Sequence, residues 1–337
     1  MADKIRVLVV NDSTFMRMAI KAILEDDPQF EVIGLAKDGK EGVEKAFQLK
    51  PDVVIMDLEM PVMSGFEAIE KIMEENPLPI IVVSSMDIPV IIKALGVGAM
   101  GFVAIKQGIE ENAVDLIEKV KIASRVRPLR RIKIGPIVKP PQIKAIKASP
   151  SKIVAIGIST GGPQELQVLL SKLPGNLSCG TLIVQYMPPG FVGGLAEWLN
   201  ANSPLDIRVA KAGDILGIGE VLLAPDDYHI KIDAGRRIIL AQDTTKSSFH
   251  VPSIDVMMQS VAEAFGKEVV GVIMTGMGHD GVEGIKAIKK AGGKTIAQDE
   301  ITSVVFGMNR EAIETGCVDS IVALEKIADE IIRTVRG

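Results

Sequence analysis

Cysteine is almost missing from this chain: Cys179 and Cys317 are the only two in 337 residues. Two thiols so far apart cannot form a disulfide framework, and they point to a reducing compartment. Both are expected to be inert, buried thiols. Aromatic residues are also scarce, at 4%, so any core must be aliphatic, as in parallel sheets built from Val and Ile. No apolar run approaches the ~20 residues needed to cross a bilayer, which argues against direct membrane insertion. The first ten residues lack a signal-peptide layout, because a charged, loop-forming segment follows their short apolar run. A cytoplasmic protein is expected. The net charge of −5 argues against a nucleic-acid binder.

One stretch lacks charge of a single sign. Between Lys119 and Gln164 there is no Asp or Glu, while Arg125, Arg127, Arg130, Arg131, Lys133, Lys139, Lys144 and Lys147 share the segment with Pro128, Pro136, Pro140, Pro141 and Pro150. Proline removes backbone donors and disfavours helix in the residue before it. Residues 124–150 are therefore expected to form an exposed basic linker; docking onto an acidic partner is the other reading. No aromatic residues interleave the basic ones, which disfavours single-stranded nucleic acid.

On either side of this linker the pattern is α/β. Apolar runs at Ile5–Val10, Val32–Leu35, Val53–Met56, Ile80–Val83 and Gly101–Ile105 alternate with amphipathic stretches of helical length. Five βα units predict a doubly wound parallel sheet over residues 1–123. A second rhythm begins at Ile153–Ile156. It continues through Leu182–Gln185, Val221–Ala224, Ile238–Leu240, Val269–Met274 and Thr295–Ala297, and predicts another α/β domain over 151–337.

Polar residues fall where the first five strands end: Asn11 and Asp12, Asp57, Ser84, and Lys106. Open parallel sheets bind ligands at those carboxyl ends. A lone Asp there is ordinarily a turn or cap residue. Carboxylates, a hydroxyl and an ammonium converging on one edge instead suit an Asp–Mg²⁺–phosphoryl site. Asp12, Asp57 and the Glu59 backbone carbonyl are the candidate oxygen ligands, and the carboxylate of Asp57 is the candidate nucleophile.

The segments VVNDSTFMR, MDLEMPVMSG, VVSS and GAMGFV resemble the response-regulator receiver family, with its flavodoxin-like fold. That resemblance implies that Asp57 accepts phosphate from a histidine kinase with Mg²⁺ bound, and that Ser84 is the switch hydroxyl. Two departures stand out. Asn11 replaces one of the usual paired acids. Where the family ends its fifth strand with Lys-Pro, direct counting puts Ile105 at the lysine position and Lys106 at the proline position. Either the strand shifts by one residue, bringing Lys106 into the switch position, or the lysine contact is degraded.

In the second half, Gly157-Ile158-Ser159-Thr160-Gly161 satisfies G-x-S-x-G between a strand and a helix. Such a turn presents a nucleophilic serine, and N–H groups at the helix start can stabilise an oxyanion. An anion-binding turn or a plain structural turn fits the motif too. The ordered blocks GISTGGP, QYMPPGF, APDDYHI, PSIDVMM, IMTGMGHDG and TIAQDEITSVVFGM resemble the chemotaxis protein-glutamate methylesterases, whose domain is Rossmann-like. The resemblance implies hydrolysis of glutamate methyl esters on methylated chemoreceptors, often with glutamine deamidation, and no cofactor for that step. By it, Ser159 is the nucleophile and Asp280 the acid, and the base falls at position 186.

Position 186 is a histidine in that family and Tyr186 here. Only about one phenol in a thousand is ionised at pH 7, and tyrosine has no second nitrogen to link serine to an orienting acid. Three readings stay open. The chain is a phosphorylation-dependent adaptor without catalysis; another histidine serves, with His279 the foremost candidate over His250 and His229; or the tyrosine itself works at reduced rate. His250 reads as a residue leading into a helix, and His229 as structural. Met277 is a candidate to line the substrate groove. A Ser159–Asp255–His279 order, as in α/β-hydrolases, is a weaker alternative.

Overall fold

The computed structural model describes residues 4–85, 87–105, 108–126, 128, 152–242 and 250–336. Lys106 and nearly all of the expected linker lie outside the described residues. The chain divides into two compact units, residues 1–133 and 134–337.

The first unit runs β1 (Ile5–Val10), α1 (Thr14–Glu25), β2 (Phe30–Ala36), α2 (Gly39–Leu49), β3 (Val53–Met56), α3 (Gly65–Glu75), β4 (Ile80–Ser84), α4 (Ile88–Val97), β5 (Gly101–Ala104) and α5 (Ala113–Ala123). The sheet is parallel throughout, in the order β2-β1-β3-β4-β5. Helices cover both faces, so central strands are apolar at every position: Val7 to Val10 and Val53 to Met56 are all fully buried. Ser13 caps α1 and Asp38 caps α2 through side-chain oxygens. Ser64 and Glu67 form a reciprocal capping box on α3. The Ser13 and Ser64 caps start helices shortly after the ends of β1 and β3, which fixes where the loops carrying Asn11, Asp12 and Asp57 stop.

The second unit runs β6 (Lys152–Ile158), α6 (Gly162–Lys172), β7 (Cys179–Gln185), α7 (Phe191–Ala201), β8 (Asp206–Val209), β9 (Glu220–Leu223), β10 (His229–Ile232), β11 (Ile238–Ala241), α8 (Ile254–Phe265), β12 (Val269–Ile273), α9 (Val282–Lys290), β13 (Lys294–Gln298), α10 (Met308–Glu314), β14 (Ser320–Val322) and α11 (Leu324–Arg336). Seven strands form a parallel sheet in the order β14-β13-β12-β6-β7-β9-β8. The apolar run at Ile238 is not part of it. It pairs antiparallel with β10 in a separate hairpin. The core is aliphatic, with Ile153, Leu182, Ile254, Met257, Val269 and Ile273 all fully buried. Cys179 is buried, and burial pushes its thiol up to about 12. Cys317, expected to be buried, is only partly so, because it sits in the turn between α10 and β14.

Strand order reverses beside β1 in the first unit and beside β6 in the second. Such switch points open a crevice at the carboxyl ends of the strands. Both candidate sites lie there.

Candidate functional site

In the first unit Val10 pairs with Met56, so the residues that follow, Asn11 and Asp57, face each other across the switch point. Asn11 Nδ2 donates to Asp57 Oδ2 at 2.8 Å, and the Leu58 N–H donates to Asp57 Oδ1 at 2.7 Å. Asn11 Oδ1 accepts the Ser13 N–H at 2.8 Å, so both ends of its amide are engaged. Its place among the usual acids is thus explained: it neutralises no charge but holds the Asp57 carboxylate in orientation. Burial pushes Asp57 up to about 6; the Leu58 and Glu59 N–H groups oppose the shift, and the negative charges of Asp12 and Glu59 add to it. Ser84 is buried at the end of β4.

The register of β4 with β5 runs from Ile81↔Gly101 to Ser84↔Ala104, and the Ile105 N–H donates to the Ser84 carbonyl at 3.0 Å. Ile105 therefore follows directly after the strand end, and it packs against the first unit's core. Direct counting puts this residue at the receiver pattern's lysine position, and Lys106, the other candidate, lies outside the described residues. Gly65 is required by close approach: a Cβ there would lie 1.9 Å from the Asp57 carbonyl oxygen. Asp12, Asp57 and the Glu59 carbonyl offer only oxygen donors, the set Mg²⁺ selects. The like charges crowding Asp57 are those a divalent cation relieves. The residues fit the ion.

In the second unit Ser159 follows β6, and its N–H donates to the Thr275 carbonyl at 2.9 Å. The helix α6 starts two residues later from Gly161, which has a φ of +84°, a left-handed conformation glycine adopts without strain. The serine is thereby presented on a tight strand-to-helix turn, ahead of first-turn N–H groups that have no partner within the helix.

Ile158 pairs with Gln185, which places Ser159 and Tyr186 side by side one residue further on. The Gln185 amide ties them together, its Nε2 donating to the Ser159 carbonyl at 2.9 Å and the Tyr186 carbonyl at 2.8 Å. The Tyr186 hydroxyl donates to Asp280 Oδ2. Asp280 also accepts from Ser253 Oγ at 2.8 Å, the Ile254 N–H at 2.6 Å and the Asp255 N–H at 3.2 Å. This carboxylate sits on the N-terminus of α8, where backbone donors and the helix dipole favour negative charge. Burial nevertheless raises its carboxyl above the usual range, with the backbone N–H groups opposing. Ser159, Tyr186 and Asp280 are thus brought to one edge.

Other expected residues fall elsewhere. His279 is exposed and pairs with Glu311 on α10. Asp255 Oδ1 accepts from the Gly281 and Gly284 N–H groups at 2.8 and 2.7 Å, fixing the start of α9 rather than orienting a histidine. His229 is buried, and its Nδ1 accepts the Ser253 N–H at 3.1 Å. Met277 is half exposed on the loop that carries Asp280. The imidazole beside Tyr186 is that of His250, with ring centroids 4.6 Å apart and planes tilted by 32°.

A buried polar set beneath the nucleophile turn escaped the sequence reading. Thr275 Oγ1 donates to the Thr160 carbonyl at 2.9 Å and accepts the Val305 N–H at 2.8 Å. Gln298 Oε1 accepts the Thr275 N–H at 2.9 Å. The available signal was position: Gln185 ends β7, Gln298 ends β13, and Thr275 lies just beyond β12.

Residues 154–331 match the CheB methylesterase family and residues 7–119 the response regulator receiver domain family. The protein-glutamate methylesterase/protein-glutamine glutaminase of Pyrococcus abyssi is 44% identical over 98% of this chain and 94% of its own length. The Thermotoga maritima protein of the same description is 40% identical, over 99% of this chain and all of its own. The crystal structure of the Thermotoga maritima CheB methylesterase catalytic domain superposes with a TM-score of 0.52 at 37% identity, covering 54% of this chain and 97% of that domain. By the two family matches and the near full-length identity, this chain belongs to the CheB methylesterase family and carries a response regulator receiver domain ahead of its methylesterase domain.

Proposed function

We propose that this chain hydrolyses glutamate methyl esters on methylated chemoreceptors in the cytoplasm, releasing methanol, and deamidates receptor glutamines at the same site. Phosphorylation of Asp57 by a histidine kinase sets the rate. The observation that carries the reading is the arrangement at the β6 switch point, where Ser159 stands beside a tyrosine anchored on a buried carboxylate.

Ser159 Oγ attacks the ester carbonyl, methanol leaves, and water hydrolyses the acyl-enzyme. Asp280 fixes Tyr186, and first-turn N–H groups of α6 lie where oxyanion charge develops. In the receiver, Asp12, Asp57 and the Glu59 carbonyl would hold Mg²⁺, which supplies charge neutralisation for phosphoryl transfer when bound. Asn11 and the Leu58 N–H keep the Asp57 oxygens directed for attack.

Methanol release from methylated receptor vesicles tests the regulation. A small-molecule phosphodonor with Mg²⁺ raises the rate of the natural chain, and Asp57→Asn loses that rise while keeping basal turnover. A rise that persists in Asp57→Asn contradicts the assignment. Tyr186 motivates a second reading, a non-catalytic adaptor that binds receptors when phosphorylated. On that reading the natural chain releases no methanol and Tyr186→His creates activity from background.

A further inference from the structure

We infer that Glu165 is a positioning residue for the Ser159 turn and that it is held there as the neutral carboxylic acid. The inference rests on the esterase reading of Ser159 and deepens it. Glu165 lies in the first turn of α6, the helix whose free N–H groups serve the developing oxyanion. On a helix surface a first-turn carboxylate is ordinary, because the macrodipole favours it and water solvates it. Glu165 is only 2% exposed, so it has no such solvation.

Its surroundings do not replace the missing water. Oε2 has no hydrogen-bond partner among the described residues. Oε1 accepts the Val304 N–H at 3.4 Å, longer than the ~2.7–2.9 Å of a charge-assisted bond. The charge that acts on the carboxyl is Glu325, at the start of α11, which has the same sign; no cation does so among the described residues. α7 also packs on α6, and its one charged residue, Glu197, is exposed. The other buried side chains of the set, Thr275, Gln298, Ser303 and Asn309, are neutral. Asn309 donates to the Gln298 carbonyl and to Ser303 Oγ, and its own Oδ1 is without a donor. The set is short of donors, and a protonated Glu165 adds one. Burial accordingly raises the carboxyl well above its usual range, with the Gln298 side chain and the Val304 N–H opposing.

The loop that Glu165 holds is the one that backs the nucleophile turn. A Cβ on Gly161 would lie 2.6 Å from the Val304 Cβ, so Val304 packs directly on the turn. The next N–H, of Val305, donates to Thr275 Oγ1 at 2.8 Å. Thr275 Oγ1 donates to the Thr160 carbonyl at 2.9 Å, and the Thr275 carbonyl accepts the Ser159 N–H at 2.9 Å. The hydrogen bonds thus run in a ring from α6 to the 304–305 loop, to Thr275, to Ser159 and Thr160, and along the turn back into α6. The Glu165 carboxyl is the link between helix and loop. Neutrality matters to the reaction as well. A buried anion one helical turn from Ser159 would oppose the negative charge that builds on the ester oxygen during attack. The neutral acid holds the loop without that opposition.

The test uses the full chain with Glu165→Gln and Glu165→Leu. Infrared difference spectra between the natural chain and Glu165→Gln at about pH 7, far above an ordinary glutamate pKa, read the charge state. The expected result is a protonated-carboxyl C=O band that shifts in D₂O and is absent from the variant. A difference spectrum with carboxylate bands alone overturns the neutral acid.

Methanol release reads the positioning. Glutamine keeps an acceptor for the Val304 N–H and a donor in the same shape without charge, so kcat stays within about threefold of the natural chain. Leucine removes the acceptor. Its kcat falls at least about 10-fold while KM stays within about twofold, because the contact is to the turn and not to the substrate. A Glu165→Gln chain that loses as much as Glu165→Leu overturns the proposal, and so does a Glu165→Leu chain within about threefold of the natural one. Should Glu165→Leu fail to fold, the infrared band and the turnover of Glu165→Gln decide. A natural chain without turnover removes the esterase reading and the positioning role with it, whereas an active chain without the band removes only the neutral acid.

Discussion

Removing the hydroxyl of Tyr186 is the sharpest probe of the geometry at the second site. In Tyr186→Phe the Asp280 carboxylate keeps Ser253 Oγ and the N–H groups of Ile254 and Asp255 but loses one of its four donors. A hydrogen bond to a charged group contributes ~1.5–3 kcal/mol. Asp280 is only partly buried, so water replaces some of the loss and the lower figure applies, about 1.5 kcal/mol. For a unit of this size that is a fall in Tm of about 3–6 °C.

The deficit depends on pH with a defined sign. Burial already holds the Asp280 carboxyl above its usual range in the folded chain, and losing a donor raises it further. A group raised in the folded state contributes stability at low pH that is lost as pH rises. The gap between variant and natural chain is therefore small near about pH 4 and full near about pH 7.5. Trp198, the only tryptophan, sits in α7 and reports unfolding of the second unit alone. Equal gaps at the two pH values, or a gap below about 0.5 kcal/mol at the higher one, would refute the placement of the hydroxyl on Asp280.

Two further outcomes concern the receiver. Without Mg²⁺, ¹³C carboxyl titration of Asp57 has its midpoint at about 6, and added Mg²⁺ moves it towards the ordinary aspartate range. The carboxyl is raised in the folded state, so the metal-free receiver loses stability as pH climbs from about 4 to about 6, by roughly 2 kcal/mol after allowing for partial exposure; a Mg²⁺-free midpoint near 4 would contradict this. Gly65→Ala places a methyl 1.9 Å from the Asp57 carbonyl oxygen. It destabilises the receiver by about 2–3 kcal/mol in denaturant unfolding, and a change below about 0.5 kcal/mol would show that the turn relaxes freely.

The fold was legible because a strand buried on both faces is an unbroken apolar run. Val53–Met56 is read identically from sequence and structure. Strands with polar or small interruptions were under-read: β2 extends back to Phe30 across Glu31, and β6 extends to Ile158 across Gly157. Edge strands were invisible, since β8 and β14 are three or four residues long and partly exposed. The run at Ile238 is apolar for a different reason: β11 packs as half of a hairpin rather than in the parallel sheet.

Site residues at strand ends were readable because topology alone gathers them, as with Asp57 after β3 and Ser159 after β6. The chemistry between Tyr186 and its neighbours was not. Nothing in the 63 positions between Tyr186 and His250 encodes a ring contact. It arises only once β7 and the segment ahead of α8 converge. His279 looked nearest because it adjoins Asp280 in sequence, yet adjacent loop residues point apart, and Glu311 takes it.

The most direct test of the account is methanol release by phosphodonor-treated full chain, compared with Ser159→Ala under the same conditions. The account predicts turnover in the natural chain and a fall of at least about 10³-fold in the variant. Equal release by the two proteins would contradict it.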